Sequence, residues 1–277
     1  MKSFVATHWA LHLAAIAFAL GTGLPAPAAT ASAEALVSNP VVVAVRRGDC
    51  VKAVALVNPA VTSNDDRTVL FLGGRMLDEG ICVKKDPVAA TQYFAHAANM
   101  GYPAAALDYA AKVGLGEGTA QNYEGAGNLC HTAGLDPQNQ VSRYALGYAC
   151  TVRGIAGKLL RETLPQGAFR PGTGEALIEF SPSTSQMRVR STPKVGRGEM
   201  ATGSNIRRPL VDAQEEIDKA WRDALAQVPK PDAAQLGSQT IEMPLDVDMT
   251  LEVGRAPAED LTLRPLLQSG DVHRTMN

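Results

Sequence analysis

The chain has 277 residues, of which 45% are apolar, and its formal charge is −2. This length suits one large or two modest domains, and the apolar fraction is sufficient for a packed core. The near-neutral charge excludes a strongly basic face of the kind that binds nucleic acid or anionic lipid. Nucleic acid is therefore not an expected partner.

The first 33 residues have the pattern of an export signal. Lys2 is the only charge before Glu34, and an apolar run, interrupted only by His12, extends from Ala10 to Leu20. Ala31–Ala33 supply the small residues that a signal peptidase needs. The apolar run is too short to span a bilayer, and no later stretch approaches the roughly 20 apolar residues required. We predict cleavage and a periplasmic protein without a stable membrane span; an uncleaved anchor is the alternative.

Residues 72–116 carry a helical pattern. Asp86 and Pro87 are residue types that begin helices, as N-cap and first helical residue. Small and aromatic residues then recur at steps of three and four, a helical period: Ala90, Tyr93, Phe94, Ala97 and Ala98. Glycines mark the predicted helix ends at Gly80, Gly101 and residues 114–116.

A second copy of this pattern follows about 35 residues later. His96-Ala97-Ala98 aligns with His131-Thr132-Ala133, and half copies flank the pair at residues 48–53 and 144–150. A repeat of this length is typical of arrays in which each helix pair buries its apolar face against the next. We therefore expect the array, and not the single pair, to be the folding unit.

The pattern resembles the Sel-one-like repeat family, relatives of the tetratricopeptide repeat, over about residues 44–155. The matching places are Leu72, Gly73, Gly80, Val83, Asp86, Ala90, Tyr93, Ala97, Ala98 and Gly101. The second copy departs from the family, with Gln121 in place of the aspartate and Gly125 in place of an alanine. The resemblance implies an α-helical repeat solenoid over residues 34–160, with a concave surface for a protein or peptide partner.

All four cysteines lie within this predicted array: Cys50, Cys82, Cys130 and Cys150. An even count in an exported chain favours disulfides, and spacings of 32, 48 and 20 residues do not suit a zinc site. Exported relatives of the family, the helical cysteine-rich proteins, also join helix pairs by disulfides. The predicted helix ends favour Cys50–Cys82 and Cys130–Cys150, with other connectivities open.

The sequence pattern after the array predicts a small α+β unit. Residues 176–180 and 187–190 form a predicted hairpin, and residues 209–228 a helix whose Trp221 packs on the sheet. Residues 241–253 alternate apolar and polar side chains, the period of a half-buried strand. The tail, residues 254–277, is polar and is predicted to be disordered.

This β-β-α-β order resembles the C-terminal domain of TonB and TolA over residues 165–253. The matching features are Phe180, the helix from Leu210 with Asp212, and the proline-containing stretches 228–231 and 243–245. The resemblance implies an edge strand that accepts an extended peptide as an added strand. The predicted partner-binding residues are Glu242, Met243, Leu245, Asp246, Asp248 and Met249.

Neither part carries a recognisable catalytic pattern, such as a serine-centred nucleophile elbow or His-Glu-x-x-His. We therefore predict a cell-envelope interaction or scaffold protein, not an enzyme, that needs no catalytic residue, metal or cofactor. It would bind protein or peptide partners through the array and the TonB-like domain. Two alternatives remain: a TonB-type energy transducer, which requires the N-terminus to stay in the membrane, and an enzyme acting on cell-wall material.

Overall fold

The computed structural model describes residues 36, 38–63, 65–136, 138, 140–163, 175–191, 214–246, 251 and 261–266. The predicted export signal lies outside these residues, as do two of the predicted partner-binding residues, Asp248 and Met249.

Seven helices between residues 40 and 163 form what we call the helical region. They are α1 (Pro40–Arg46), α2 (Cys50–Ser63), α3 (Arg67–Glu79), α4 (Pro87–Asn99), α5 (Pro103–Leu115), α6 (Tyr123–Thr132) and α7 (Arg143–Thr163). The chain then forms β1 (Glu175–Ser181), β2 (Gln186–Ser191), helix α8 (Gln214–Gln227) and β3 (Ile241–Asp246). The coarse fold prediction, helices followed by a small unit in the order β-β-α-β, is confirmed.

Within residues 72–116, the residues predicted to begin and end the helices do so. The side chain of Asp86 accepts a hydrogen bond from the backbone N–H of Ala89, and Pro87 is the first residue of α4. Gly80 ends α3 with a φ of 69°, a left-handed conformation that glycine adopts without a steric cost. These local signals explain why the helix boundaries of this stretch were predictable.

Matching backbone hydrogen bonds recur 36 residues apart, one residue more than the predicted spacing. The N–H donors at residues 81, 86, 117 and 122 bond the carbonyls of residues 76, 77, 112 and 113, respectively. Asn122, and not Gln121, caps α6 by accepting from the Gly125 N–H. The matching bonds at the ends of α4 and α6, donated by residues 101 and 102 and by residues 134 and 135, recur 33 residues apart. Neither spacing pairs His96 with His131, so the predicted alignment of these two residues is not observed.

Glycines allow α7 to approach α6 closely. A Cβ at Gly147 would lie 1.7 Å from the carbonyl oxygen of Tyr123, and a Cβ at Gly127 would lie 1.8 Å from the carbonyl oxygen of Arg143. These neighbours are backbone atoms that cannot rotate away, so the α6–α7 contact requires glycine at both places.

The three strands form one antiparallel sheet in the order β2-β1-β3, with α8 packed on it. Trp221 of α8 lies against Phe180 of β1, with ring centroids 5.1 Å apart, as predicted. The predicted alternation holds within β3, where Ile241, Met243 and Leu245 are buried. The strand was expected to reach residue 253, but the described strand ends at residue 246. Residues 247–250 lie outside the described residues.

The buried apolar side chains form two clusters. The first cluster contains residues of α1–α4, Ala105 and Leu251, and the second joins α5, α6 and α7 to α8 and the sheet. The rings of Tyr148 and Phe180, 5.9 Å apart, link α7 to β1 within the second cluster. The sequence-based boundary at residues 160–165 therefore does not separate two cores, because the long helix α7 is shared.

Part of the C-terminal tail is ordered against the first cluster. Leu261, Leu263 and Leu266 pack on it, and the backbone of Arg264 bonds side chains of α2 and α4. For residues 261–266 the expectation of a disordered tail is wrong. The tail as a whole is polar in composition, but these three leucines make apolar contacts with the first cluster that order this segment. Leu251, expected in the last strand, is likewise in a turn and buried in the first cluster.

Candidate partner-binding sites

Two disulfides fix neighbouring helices of the helical region. Cys50, at the start of α2, bonds Cys82, just beyond α3, with their Cα atoms 5.0 Å apart. Cys130 of α6 bonds Cys150 of α7, with Cα atoms 6.6 Å apart. Both predicted pairs are confirmed, and each stabilises the fold by about 3–4 kcal/mol for loops of this length. The helices therefore have restricted freedom to change their relative positions.

A cluster of buried and half-buried charges, missed by the sequence analysis, connects α3, α5 and α7. We call it the charge cluster, and its members are Arg75, Asp78, Glu79, Asp108, Lys112, Lys158 and Arg161. One centre is Glu79, whose Oε1 lies 2.8 Å from Arg75 Nε and 3.0 Å from Arg161 Nε. The other is Asp78, which pairs with Lys112 Nζ and, at 2.9 Å, with Lys158 Nζ.

The electrostatics of the cluster differ between its two aspartates. Burial alone would raise the pKa of Asp78, but Lys112 and Lys158 hold it below its ordinary value. Burial raises the pKa of Asp108, and the charges of Arg75 and Arg161 only partly offset this effect. Lys112 keeps its proton, because Asp78 and Glu117 outweigh its desolvation and raise its pKa.

The charge cluster serves to hold three helices together. Buried ions are costly unless paired, and here cations from α5 and α7 meet carboxylates from α3. A signal for it exists in the sequence: Arg75, Asp78 and Glu79 lie three and four residues apart, on one face of a helix that glycine and apolar residues otherwise mark as buried. Charges in such a helix indicate partners on neighbouring helices.

An open groove of about 570 Å³ lies beside α5 and α6. Its lining combines an apolar floor with uncharged hydrogen-bonding side chains. The lining residues are Tyr109, Val113, Thr119, Ala120, Gln121, Asn122, Gly125, Asn128, Leu129 and Thr132. Amides and hydroxyls of this kind can bond the N–H and C=O groups of a peptide, whereas nothing in the lining carries a charge that would select an ionic ligand.

The predicted partner-binding residues of the last strand are only partly described. Glu242 is exposed, Met243 and Leu245 are buried on the α8 side, and Asp246 is the last residue of β3. Within the described sheet, β3 pairs with β1 alone and is an edge strand.

The centre of this edge is already engaged by α7. Pro244 has no N–H, and its carbonyl accepts a hydrogen bond from Arg153 Nε. An incoming strand would therefore find neither a donor nor a fully available acceptor at this position. The role of these residues in partner binding stays a prediction.

A scan against protein-family models, a search of curated proteins and a search of solved structures each find no match. Among the helices of the described chain, none has the length and hydropathy to cross a membrane. The resemblances to Sel-one-like repeats and to the TonB domain therefore stay predictions.

Proposed function

We propose that the mature chain is an exported envelope protein that binds protein or peptide partners on a Sel-one-like helical scaffold. The two disulfides are compatible with an exported protein, because such bonds persist in oxidising compartments. Disulfides and the charge cluster together restrict helix movement, and a preorganised surface loses less entropy when a partner binds.

The groove beside α5 and α6 is the observation that carries this proposal. It is open, of about 570 Å³, and offers amides and hydroxyls around an apolar floor. One of its flanking helices, α6, is fixed to α7 by the Cys130–Cys150 disulfide and by glycine contacts. A fixed groove with uncharged hydrogen-bonding groups suits a peptide backbone better than an ionic small molecule.

The TonB-like unit has the secondary role in this proposal. Pro244 and Arg153 restrict strand addition at the centre of β3. The unit also shares its core with α5, α6 and α7, so it supports the groove as well as offering an edge. We therefore assign the main partner surface to the helical region.

Site-specific photocrosslinking in the periplasm tests the proposal without cutting the shared core. A photoreactive residue at position 128 in the groove should crosslink a specific envelope protein or peptide. A co-expressed, unlabelled Asn128→Arg chain should fail to compete for that crosslink, whereas Gln227→Arg, a matched exposed change on α8, should compete like the wild type. Equal competition by both variants would contradict the assignment of the groove.

A further inference from the structure

The ordered part of the tail is held by a pair of side chains on two helices. Asn58 of α2 accepts a hydrogen bond from the Arg264 N–H through Oδ1 at 2.9 Å. The hydroxyl of Tyr93 in α4 donates to the Arg264 carbonyl at 2.6 Å. Burial raises the pKa of Tyr93, so this hydroxyl keeps its proton and remains a donor. Both backbone groups of one tail residue are thus satisfied by the helical region.

The two hydrogen bonds recognise the backbone of a non-helical segment, and the apolar contacts recognise leucines at particular spacings. The side chain of Arg264 is exposed, and the residues that pack on the first cluster are Leu261, Leu263 and Leu266. An asparagine acceptor and a tyrosine donor bond any non-proline residue at the central place. The matching requirement is therefore a non-helical segment of the form Leu-x-Leu-x-x-Leu.

The tail is held weakly compared with the helices. Its three leucines are only partly buried, and no regular secondary structure forms along residues 261–266. Segments with few buried contacts open locally far more often than the core unfolds. We therefore expect residues 261–266 to detach transiently and to expose the surface that they cover.

We propose that Asn58, Tyr93 and the adjoining apolar surface form a binding site for a Leu-x-Leu-x-x-Leu segment of a partner protein, and that residues 261–266 occupy this site in the free protein. This inference deepens the proposed function, because it names the chemistry of a partner for the helical region. A tethered occupant has an effective concentration in the millimolar range, so a partner segment must displace it. The site would admit only partners that bind better or arrive at high local concentration.

The second copy of the helical pattern lacks the donor of this site. At the 36-residue spacing, Tyr93 corresponds to Leu129, which has no hydroxyl. The groove beside α5 and α6 is therefore a different surface, and Gln227, an exposed amide of α8, provides a control for Asn58.

Fluorescence anisotropy with a labelled synthetic peptide of residues 258–270 tests the proposal on the full chain. Leu263→Ser with Leu266→Ser should empty the site while leaving Asn58 and Tyr93 in place. This double variant should bind the peptide at least about 100-fold more tightly than the wild type, whose tail competes at millimolar effective concentration. Adding Asn58→Ala should weaken binding about tenfold, the effect of one hydrogen bond, while adding Gln227→Ala, an exposed change on α8, should leave it unchanged.

A peptide methylated on the backbone nitrogen of Arg264 supplies a control that does not alter the protein. It cannot donate to Asn58 and should bind about tenfold more weakly than the unmodified peptide. Absence of saturable binding to the double variant, or equal binding of the two peptides, would overturn the proposal. Neither result bears on the photocrosslinking outcome at position 128, so the two proposals fail independently.

Hydrogen exchange of the wild-type chain keeps the proposal testable if the double variant does not fold. Millimolar free peptide should speed exchange of the amides of residues 261–266 and leave those of α4 unchanged. Unchanged exchange of the tail at saturating peptide would show that the segment is a fixed part of the fold, and would refute the proposed exchange.

Discussion

The two core clusters are built from different kinds of contact. The first is a set of helices joined by the Cys50–Cys82 disulfide and covered in part by a returning tail segment. The second contains glycines at which helix backbones approach closely, a series of neighbouring aromatic rings, and the sheet. It includes residues from α5 to β3. In our proposal the first cluster exchanges a peripheral segment, whereas in the second cluster α7 contacts α5, α6, α8 and the sheet.

The charge cluster lies where the two clusters meet, because it joins α3 of the first to α5 and α7 of the second. Two regions connected through buried ion pairs should be sensitive to a single missing charge. The variants below test whether that connection, and not the internal packing of either cluster, sets the stability of the whole molecule.

The largest expected effect is that of Lys112→Met. It leaves the Asp78 carboxylate, whose side chain is 6% exposed, without one of its two cations. Loss of one partner from a buried pair costs about 3–5 kcal/mol of unfolding free energy, measured by urea denaturation. Lys219→Met removes the exposed Lys219–Asp223 pair of α8 and should cost less than about 1 kcal/mol. Similar losses in both variants would show that the cluster does not couple the regions.

The next effect comes from the first disulfide. Replacing Cys50 and Cys82 by alanine should lower the unfolding free energy by about 3–4 kcal/mol. Trp221 is the only tryptophan that lies outside the predicted export signal, and it reports the second cluster. If the clusters are separable, far-ultraviolet circular dichroism of this variant should begin its urea transition before Trp221 fluorescence does. Coincident transitions would mean that the charge cluster makes the two regions one cooperative unit.

Gly147→Ala tests the close contact inside the second cluster. Its Cβ would lie 1.7 Å from the Tyr123 carbonyl oxygen, so α6 and α7 must separate. We expect a loss of about 1–3 kcal/mol, the usual cost of overpacking, with an earlier Trp221 fluorescence transition. A neutral or stabilising effect, as expected for Gly→Ala in an exposed helix, would contradict the close packing of these helices.

The sequence was informative where the deciding interaction is local. Asp86, Pro87 and Gly80 determine helix ends through contacts a few residues away, and the alternation in β3 follows from one buried face. The disulfides were predictable because antiparallel helices place particular ends together.

The misses all depend on distant partners. Glu79 pairs with Arg161, 82 residues away, and Tyr93 bonds Arg264, 171 residues away. No local period reports such a contact. The charges within α3 indicate that partners exist on other helices but not which residues they are, and no local signal indicates the tail site. The packing of α7 against α8 is long-range for the same reason, so one core contains residues from both sides of the predicted domain boundary.

The smallest expected effect is a pH dependence that separates the two aspartates of the charge cluster. Burial holds the pKa of Asp108 above 3.8, so the unfolded carboxyl loses its proton at a lower pH than the folded one. The folded state therefore loses stability as pH rises from about 3.8 through the folded-state pKa. Asparagine does not titrate. The unfolding free energy of Asp108→Asn relative to the wild type should therefore be lowest below pH 3.8 and should increase as pH rises over that window.

Asp78→Asn should show the opposite sign and serves as the matched control. Lys112 and Lys158 overcome the effect of burial and hold the pKa of Asp78 below 3.8, so its contribution is complete above that pH and disappears as pH falls through the folded-state pKa. The unfolding free energy of this variant should therefore approach that of the wild type as the pH falls. Urea denaturation at a series of pH values between 2 and 8 measures this difference. Parallel pH profiles for the two variants would mean that the two carboxylates share one environment. The pairing of Asp78 with Lys112 and Lys158 would then not distinguish it from Asp108 in the connection between the two cores.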